Sequence, residues 1–127
     1  MNFYKLLLVG AGGMLGSIAR YITSKSIHEK VNAVFPYGTF TVNIVGSLVI
    51  GFLYAWLSRK TGGNESMKLL LGTGFCGGFT TFSAFAFENV DLLQQKLIST
   101  SALYICLTLV IGFLAVLAGL ALGKSIS

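Results

Sequence analysis

The sequence predicts an all-α membrane protein of four transmembrane helices, and three observations carry that expectation. Hydrophobic residues fill 54% of the 127 positions and charged residues only 10%, more apolar surface than a soluble core of this size hides. The apolar residues gather in four runs, each near the ~20 residues that cross a bilayer. Only short polar links join them, so residues 1–127 read as a single transmembrane domain.

The first span, residues 3–22, opens with Lys5 ahead of Leu6 to Val9, the outline of a signal peptide. Three more apolar spans follow and no small-residue cleavage pattern precedes Arg20, so this span is expected to be retained. Its glycines, Gly10, Gly12 and Gly16, lack the dinucleotide-binding spacing, and no alternation of strands and amphipathic helices follows. On a membrane helix Gly12 and Gly16 share a face and let a second backbone approach; Gly74 with Gly78 and Gly119 with Gly123 repeat the spacing. A polar link over residues 23–34 carries Lys25, His28, Glu29 and Lys30, and His28 is expected to be a solvated loop residue. Pro36 opens the second span, residues 35–57, where its missing donor would be unpaired anyway. Ser58 to Ser66 form a glycine-containing loop before the third span, residues 67–90. Asp91 to Lys96 make the last link before the fourth span, residues 97–122. Cys76 and Cys106 lie inside spans without metal or redox spacing and are expected to pack as small residues, with no disulfide.

The net charge of +5 does not indicate a nucleic-acid partner, because the basic residues stand singly or in one pair at the ends of apolar runs. Lys5, Arg59, Lys60, Lys68 and Lys124 fall on one side of a four-span chain, and Arg20, Lys25, Lys30 and Lys96 on the other. Five against four is no excess, so dual insertion is expected, and two opposed copies would form an inverted-repeat assembly.

The third span holds the most unusual chemistry. Residues three and four apart share a helix face, which puts Phe82, Phe85 and Glu88 on one ridge with Thr81 beside Phe85. Gly77 and Gly78 stand just ahead, followed by hydroxyls at Thr80, Thr81 and Ser83. Two readings fit: an intact helix whose glycines only permit close packing, or a break in which the hydroxyls re-pair freed backbone groups. The residues alone favour the intact helix by a small margin. A break would release carbonyl oxygens, which are ligands for a hard cation. In the second span Thr39, Asn43 and Gly46 or Ser47 share a face, and Asn43 serves either as interhelical glue or as a donor toward a pathway. In the fourth span Ser101, Tyr104 and Thr108 recur at helical spacing. Amide and hydroxyl donors together with phenyl edges suit a small anion held weakly, with Arg20 either steering it or anchoring the helix end.

Three stretches resemble the fluoride channel family called Fluc or CrcB: Gly16-Ser17-Ile18-Ala19-Arg20-Tyr21, Gly38 to Gly46, and Gly74 to Phe85 followed by Glu88. The resemblance spans nearly the whole chain. It implies a channel and not an enzyme: an antiparallel homodimer with a broken third helix, two parallel fluoride pores, and passive export across the plasma (inner) membrane of a prokaryote. It further implies that Phe82 and Phe85 line the pore, with Asn43 a polar pore residue, Arg20 a vestibule residue and Glu88 an acid near one end. Tyr104 would begin a polar track, with Thr108 and then Gly112 at the next helical steps where serines are common. Thr81 and Ser83 belong to the same pathway, and Ala84 stands where a threonine is common. The backbone carbonyls of Gly77 and Thr80 from both subunits would hold a structural sodium ion. The rival readings are a proton-coupled small multidrug exporter, which needs an embedded carboxylate that the first span lacks, and a packing subunit without transport.

Overall fold

The computed structural model describes residues 2–60 and 64–126, so residues 61–63 of the expected glycine-containing link lie outside the described residues. Helix α1 (Phe3–Val31) starts at Asn2, whose Oδ1 accepts the Tyr4 N–H at 2.8 Å. It runs past the expected end at residue 22. No glycine or proline lies between Ser17 and Val31, so hydropathy falls without removing any reason to stay helical. Polar side chains also turn back onto the helix: Ser24 Oγ donates to the Arg20 carbonyl at 2.8 Å, and Lys25 Nζ reaches the Tyr21 hydroxyl at 3.3 Å. The stop is Asn32, left-handed at φ 47°, whose N–H bonds the His28 carbonyl at 3.0 Å. His28 therefore belongs to an exposed last helical turn and not to a loop. At 1.5 Å per residue the 29 residues of α1 extend about 43 Å, beyond the ~30 Å hydrocarbon layer.

Helix α2 (Tyr37–Lys60) begins directly after Pro36, whose carbonyl accepts the Phe40 N–H at 3.1 Å. The third span, Glu65–Gln94, is not one helix. Its first half, α3 (residues 65–79), is capped by Asn64 Oδ1, which accepts from the Met67 N–H at 3.0 Å. It takes a wider, π-helical form over Lys68–Cys76 and returns to an α turn at Gly77–Phe79. Thr80 (φ −93°, ψ 158°) and Thr81 (φ −152°, ψ 118°) are extended, and α4 (Phe82–Gln94) follows. The small margin for an intact helix is thus overturned, and the broken third helix that the family resemblance implies is present, with the break at Thr80–Thr81 and not from Gly77 to Thr80. Gly77 itself keeps helical dihedrals of −62° and −36°. Helix α4 ends with Lys96 left-handed at φ 63°. The Lys96 and Leu97 N–H groups there bond the Leu93 and Leu92 carbonyls at 3.0 and 2.9 Å, a Schellman ending. Helix α5 (Ile98–Ser125) completes the chain. Four spans are long and apolar enough to cross a membrane.

Packing follows the small residues. A side chain at Gly16 would strike the Phe75 carbonyl and the Phe79 N–H, and one at Gly78 would strike the Gly13 carbonyl, so α1 and α3 meet backbone to backbone. Gly119 and Gly123 of α5 meet the Leu48 and Phe52 carbonyls of α2 in the same way. The α4 segment packs through side chains instead: Phe85, Leu92 and Tyr104 form a small core with Phe35, Phe40 and Leu97 against it. Large apolar side chains such as Leu7, Met14, Val110 and Phe113 stay exposed, as lipid contact allows.

Gly16→Val is expected to weaken the fold by about 1–3 kcal/mol because the α1–α3 contact cannot absorb a branched side chain. Gly10→Ala, with nothing within 4 Å of the added carbon, should stay within about 0.5 kcal/mol. Denaturant unfolding in mixed micelles, followed by circular dichroism, reads both.

Candidate functional site

The break is held by side chains that replace lost backbone partners. From α2, Asn43 Oδ1 accepts the Thr81 N–H at 2.7 Å and Asn43 Nδ2 donates to the Thr81 carbonyl at 3.0 Å. From α1, Arg20 Nε donates to the Gly78 carbonyl at 2.8 Å, where an unbroken helix would use the Phe82 N–H. The Thr80 N–H and hydroxyl both bond the Cys76 carbonyl, at 3.0 and 2.9 Å. Thr81 Oγ1 caps α4 by accepting the Ala84 N–H at 3.1 Å, and Ser83 Oγ lies 3.3 Å from it.

Gly77 and Thr80 each lose a helical partner in this arrangement. Their carbonyls would pair with the N–H groups of Thr81 and Ala84 in an unbroken helix, but those donate to Asn43 and to Thr81 Oγ1. Among the described residues no group of three or more His, Cys, Asp or Glu side chains is placed to hold a metal. The Gly77 and Thr80 carbonyls are neutral oxygen donors of the kind a hard cation accepts.

Beyond the break, Phe82, Phe85 and Glu88 share one face of α4. Phe82 is 78% exposed and Phe85 only 8%, with ring centroids 5.8 Å apart. The Phe85 ring meets Tyr104 at 4.9 Å and 65°, edge to face. Tyr104 is fully buried, and its hydroxyl donates to Glu88 Oε1 at 2.8 Å. Thr39 Oγ1 donates to Glu88 Oε2 at 2.6 Å, so the carboxyl is gripped from α2 and α5 together. Ser101, one turn before Tyr104, donates instead to Asn89 Oδ1 at 2.8 Å. Thr108 Oγ1 is buried with no hydrogen-bond partner among the described residues.

Two cavities flank this ridge. One of about 370 Å³ is bounded by Asn43, Ser47, Thr80, Phe82, Phe85 and Thr108. The other, about 350 Å³, is bounded by Tyr21, Lys25, His28, Thr39, Glu88 and Asp91. The structure thus gathers Asn43, Thr81, Phe82, Phe85 and Thr108 around one space, with Glu88 at the next. Tyr104 lines neither cavity and touches Phe85 of the first and Glu88 of the second, while Ser83 lies beside Thr81. Arg20 lines neither cavity and sits on the break. Sequence reasoning placed Thr39 on the Asn43 face without assigning it the Glu88 carboxyl, and it passed over Asn89. The helical spacing of Thr39 and Asn43 was the available signal for the first. Asn43, Ser47, Thr80, Thr81 and Thr108 bring polar groups to the larger cavity, which is otherwise lined by apolar residues such as Ile50, Leu109, Phe113 and Val116, with no lysine or arginine among them.

Comparison with known proteins gives a consistent result. The family model described as "CrcB-like protein, Camphor Resistance (CrcB)" matches residues 7–120. The chain is similar to the "Fluoride-specific ion channel FluC" of Flavobacterium psychrophilum, 41% identical over 121 residues that cover 95% of this chain and 98% of that one. Proteins of the same description from Rhizobium meliloti and Agrobacterium fabrum are each 42% identical, over 94% and 95% of this chain and 96% and 97% of theirs.

Asn43→Leu strands both peptide groups of Thr81 and is expected to cost about 2–4 kcal/mol. Ser47→Ala removes only a bond back to the Asn43 carbonyl at 2.7 Å and should cost about 0.5 kcal/mol or less. Parallel denaturant titrations of the two variants measure the difference.

Proposed function

The chain belongs to the CrcB family, and on that premise we propose that it is a fluoride-selective channel that passes fluoride out of the cell passively and so protects against fluoride toxicity. The observation that carries this reading is the α4 ridge. Phe82 and Phe85 line a cavity together with hydroxyl and amide groups, and its described lining holds no basic side chain. A small, strongly hydrated anion needs donors on several sides as it sheds water, and weak neutral donors let it leave again. Asn43 retains a second amide hydrogen beyond the one given to Thr81, and Thr108 Oγ1 is an unused hydroxyl beside the same cavity. Thr81 borders the path with Ser83 beside it, while Tyr104 and Thr39 hold Glu88 at its other end. Arg20 acts by holding the break and adding positive charge near it.

The working unit in this proposal is an antiparallel homodimer with two pores. Phe82 is exposed beside its cavity, and among the described residues no atom beyond Gly77's own helical turn lies within 4 Å of where a side chain there would begin, which leaves room for a second copy. The even division of basic residues between the two sides favours neither orientation. A second copy would add its own Gly77 and Thr80 carbonyls to this pair, and together they would hold a structural sodium ion, which supplies fixed positive charge at the centre. The chain is an integral membrane protein; its place is the plasma (inner) membrane of a prokaryote, a reading supported by its bacterial relatives.

A proton-coupled multidrug exporter fits less well. The acid of α1, Glu29, stands in the exposed last turn, and Glu88 is occupied by two hydroxyls.

Vesicles loaded with fluoride should release it when the protein is present, without a proton gradient, and should retain chloride. Phe82→Ile or Phe85→Ile should lower the flux about tenfold or more while leaving the assembled protein intact. Proton-dependent release, or equal passage of chloride, would sink the channel reading.

A further inference from the structure

Helices α4 and α5 are joined by a ladder of contacts that climbs from their shared turn toward the ridge. The lowest rung is the Schellman ending, where Leu97 packs with Leu92. The next is the hydrogen bond from Ser101 Oγ to Asn89 Oδ1, 2.8 Å long, between groups that are 1% and 6% exposed. The top rung is Tyr104 on Glu88, with the Phe85 ring against Tyr104. Asn89 is also tied to its own helix, because Nδ2 donates to the Phe85 carbonyl at 2.9 Å. Its amide is therefore fixed before Ser101 meets it. Neither Asn89 nor Ser101 lines either cavity, so neither touches an ion there.

We propose that Asn89 and Ser101 are positioning residues of the ion pathway. Their buried hydrogen bond sets the register of α4 against α5 and so holds Glu88 and Phe85 against Tyr104. The inference rests on the channel reading above only for what the positioned residues do. Its physical basis is the helical repeat: a slip of one residue along α5 combines a rise of about 1.5 Å with a turn of about 100°, which carries the Tyr104 hydroxyl away from Glu88 and breaks their 2.8 Å bond. Glue between helices could be any apolar pair of the right volume. A pair with one donor and one acceptor, both buried, meets in a single register, since slipping strands two polar groups in a dry setting.

The test uses the full-length protein with Asn89→Leu and Ser101→Ala combined, which removes both partners and leaves no polar group stranded. After reconstitution the fluoride flux is expected to fall about tenfold. Adding Tyr104→Phe should lower it no further than Tyr104→Phe does alone, because the clamp acts through Tyr104. The infrared band of the Glu88 carboxyl, isolated by difference against Glu88→Gln, should shift in the paired variant whatever ion the protein passes. An unshifted band, flux at the wild-type level, or losses that multiply with Tyr104→Phe would each overturn the clamp. A wild-type protein that passes no fluoride overturns the channel reading alone, and the Glu88 band then decides the clamp by itself.

Discussion

Hydrocarbon offers no water to an unpaired peptide group, so a membrane helix opens only where other groups take over its lost hydrogen bonds. At Thr80–Thr81 that requirement shapes three neighbouring elements at once. Asn43 must sit on the α2 face that meets the break, since its amide pairs with both peptide groups of Thr81. Arg20 must lie within reach of Gly78, which fixes how α1 is turned. Thr81 must cap α4 with its own hydroxyl. The cost of opening the helix is met locally, and what remains is a pair of carbonyls, at Gly77 and Thr80, whose former donors have gone elsewhere.

The glycine contacts explain why these side chains can reach. Gly16 and Gly78 let α1 and α3 touch backbone to backbone, and Gly119 and Gly123 do the same for α5 on α2. These two close pairs form a frame in which Arg20 is long enough to reach Gly78, and Gly46 of α2, where a side chain would strike Thr80, brings Asn43 against the break. Helix α4 is outside that frame. It is held by its cap, by Thr39 and Tyr104 on Glu88, and by Ser101 on Asn89. Polar contacts have a defined length and direction where apolar packing does not, so the element carrying Phe82 and Phe85 is also the one most sharply located by hydrogen bonds.

That arrangement changes how the donors of the site are read. Asn43 and Tyr104 fit the expectation of polar groups near a pathway, yet each already has a protein partner. Asn43 is interhelical glue, and it also borders the cavity. Tyr104 presents its ring to Phe85 and its hydroxyl to Glu88, which makes the two α4 residues parts of one contact. Thr108 alone on the Ser101–Tyr104–Thr108 stripe keeps a buried hydroxyl without a partner. Stripe membership is thus a poor guide to use, because equal spacing on α5 leads to three different surroundings.

The amino-acid sequence by itself determined the membrane class, the four spans, the glycine faces and the Phe82–Phe85–Glu88 ridge. Each of these follows from hydropathy, residue size or helical period, properties read within a few turns of chain. The same local reading ended the first helix at residue 22, because loss of hydropathy resembles loss of helix although nothing there breaks one. It also leaned slightly toward an intact third span, and only the family resemblance pointed to a break. Only the tertiary structure placed the break at Thr80–Thr81, gave Asn43 and Arg20 their partners and carried Thr39 to Glu88. Those bonds join residues 38, 58 and 49 positions apart. Whether a glycine pair opens a helix depends on whether a distant amide or guanidinium arrives to replace the lost donors, and no local property of GFCGGFTTFSAF records that arrival.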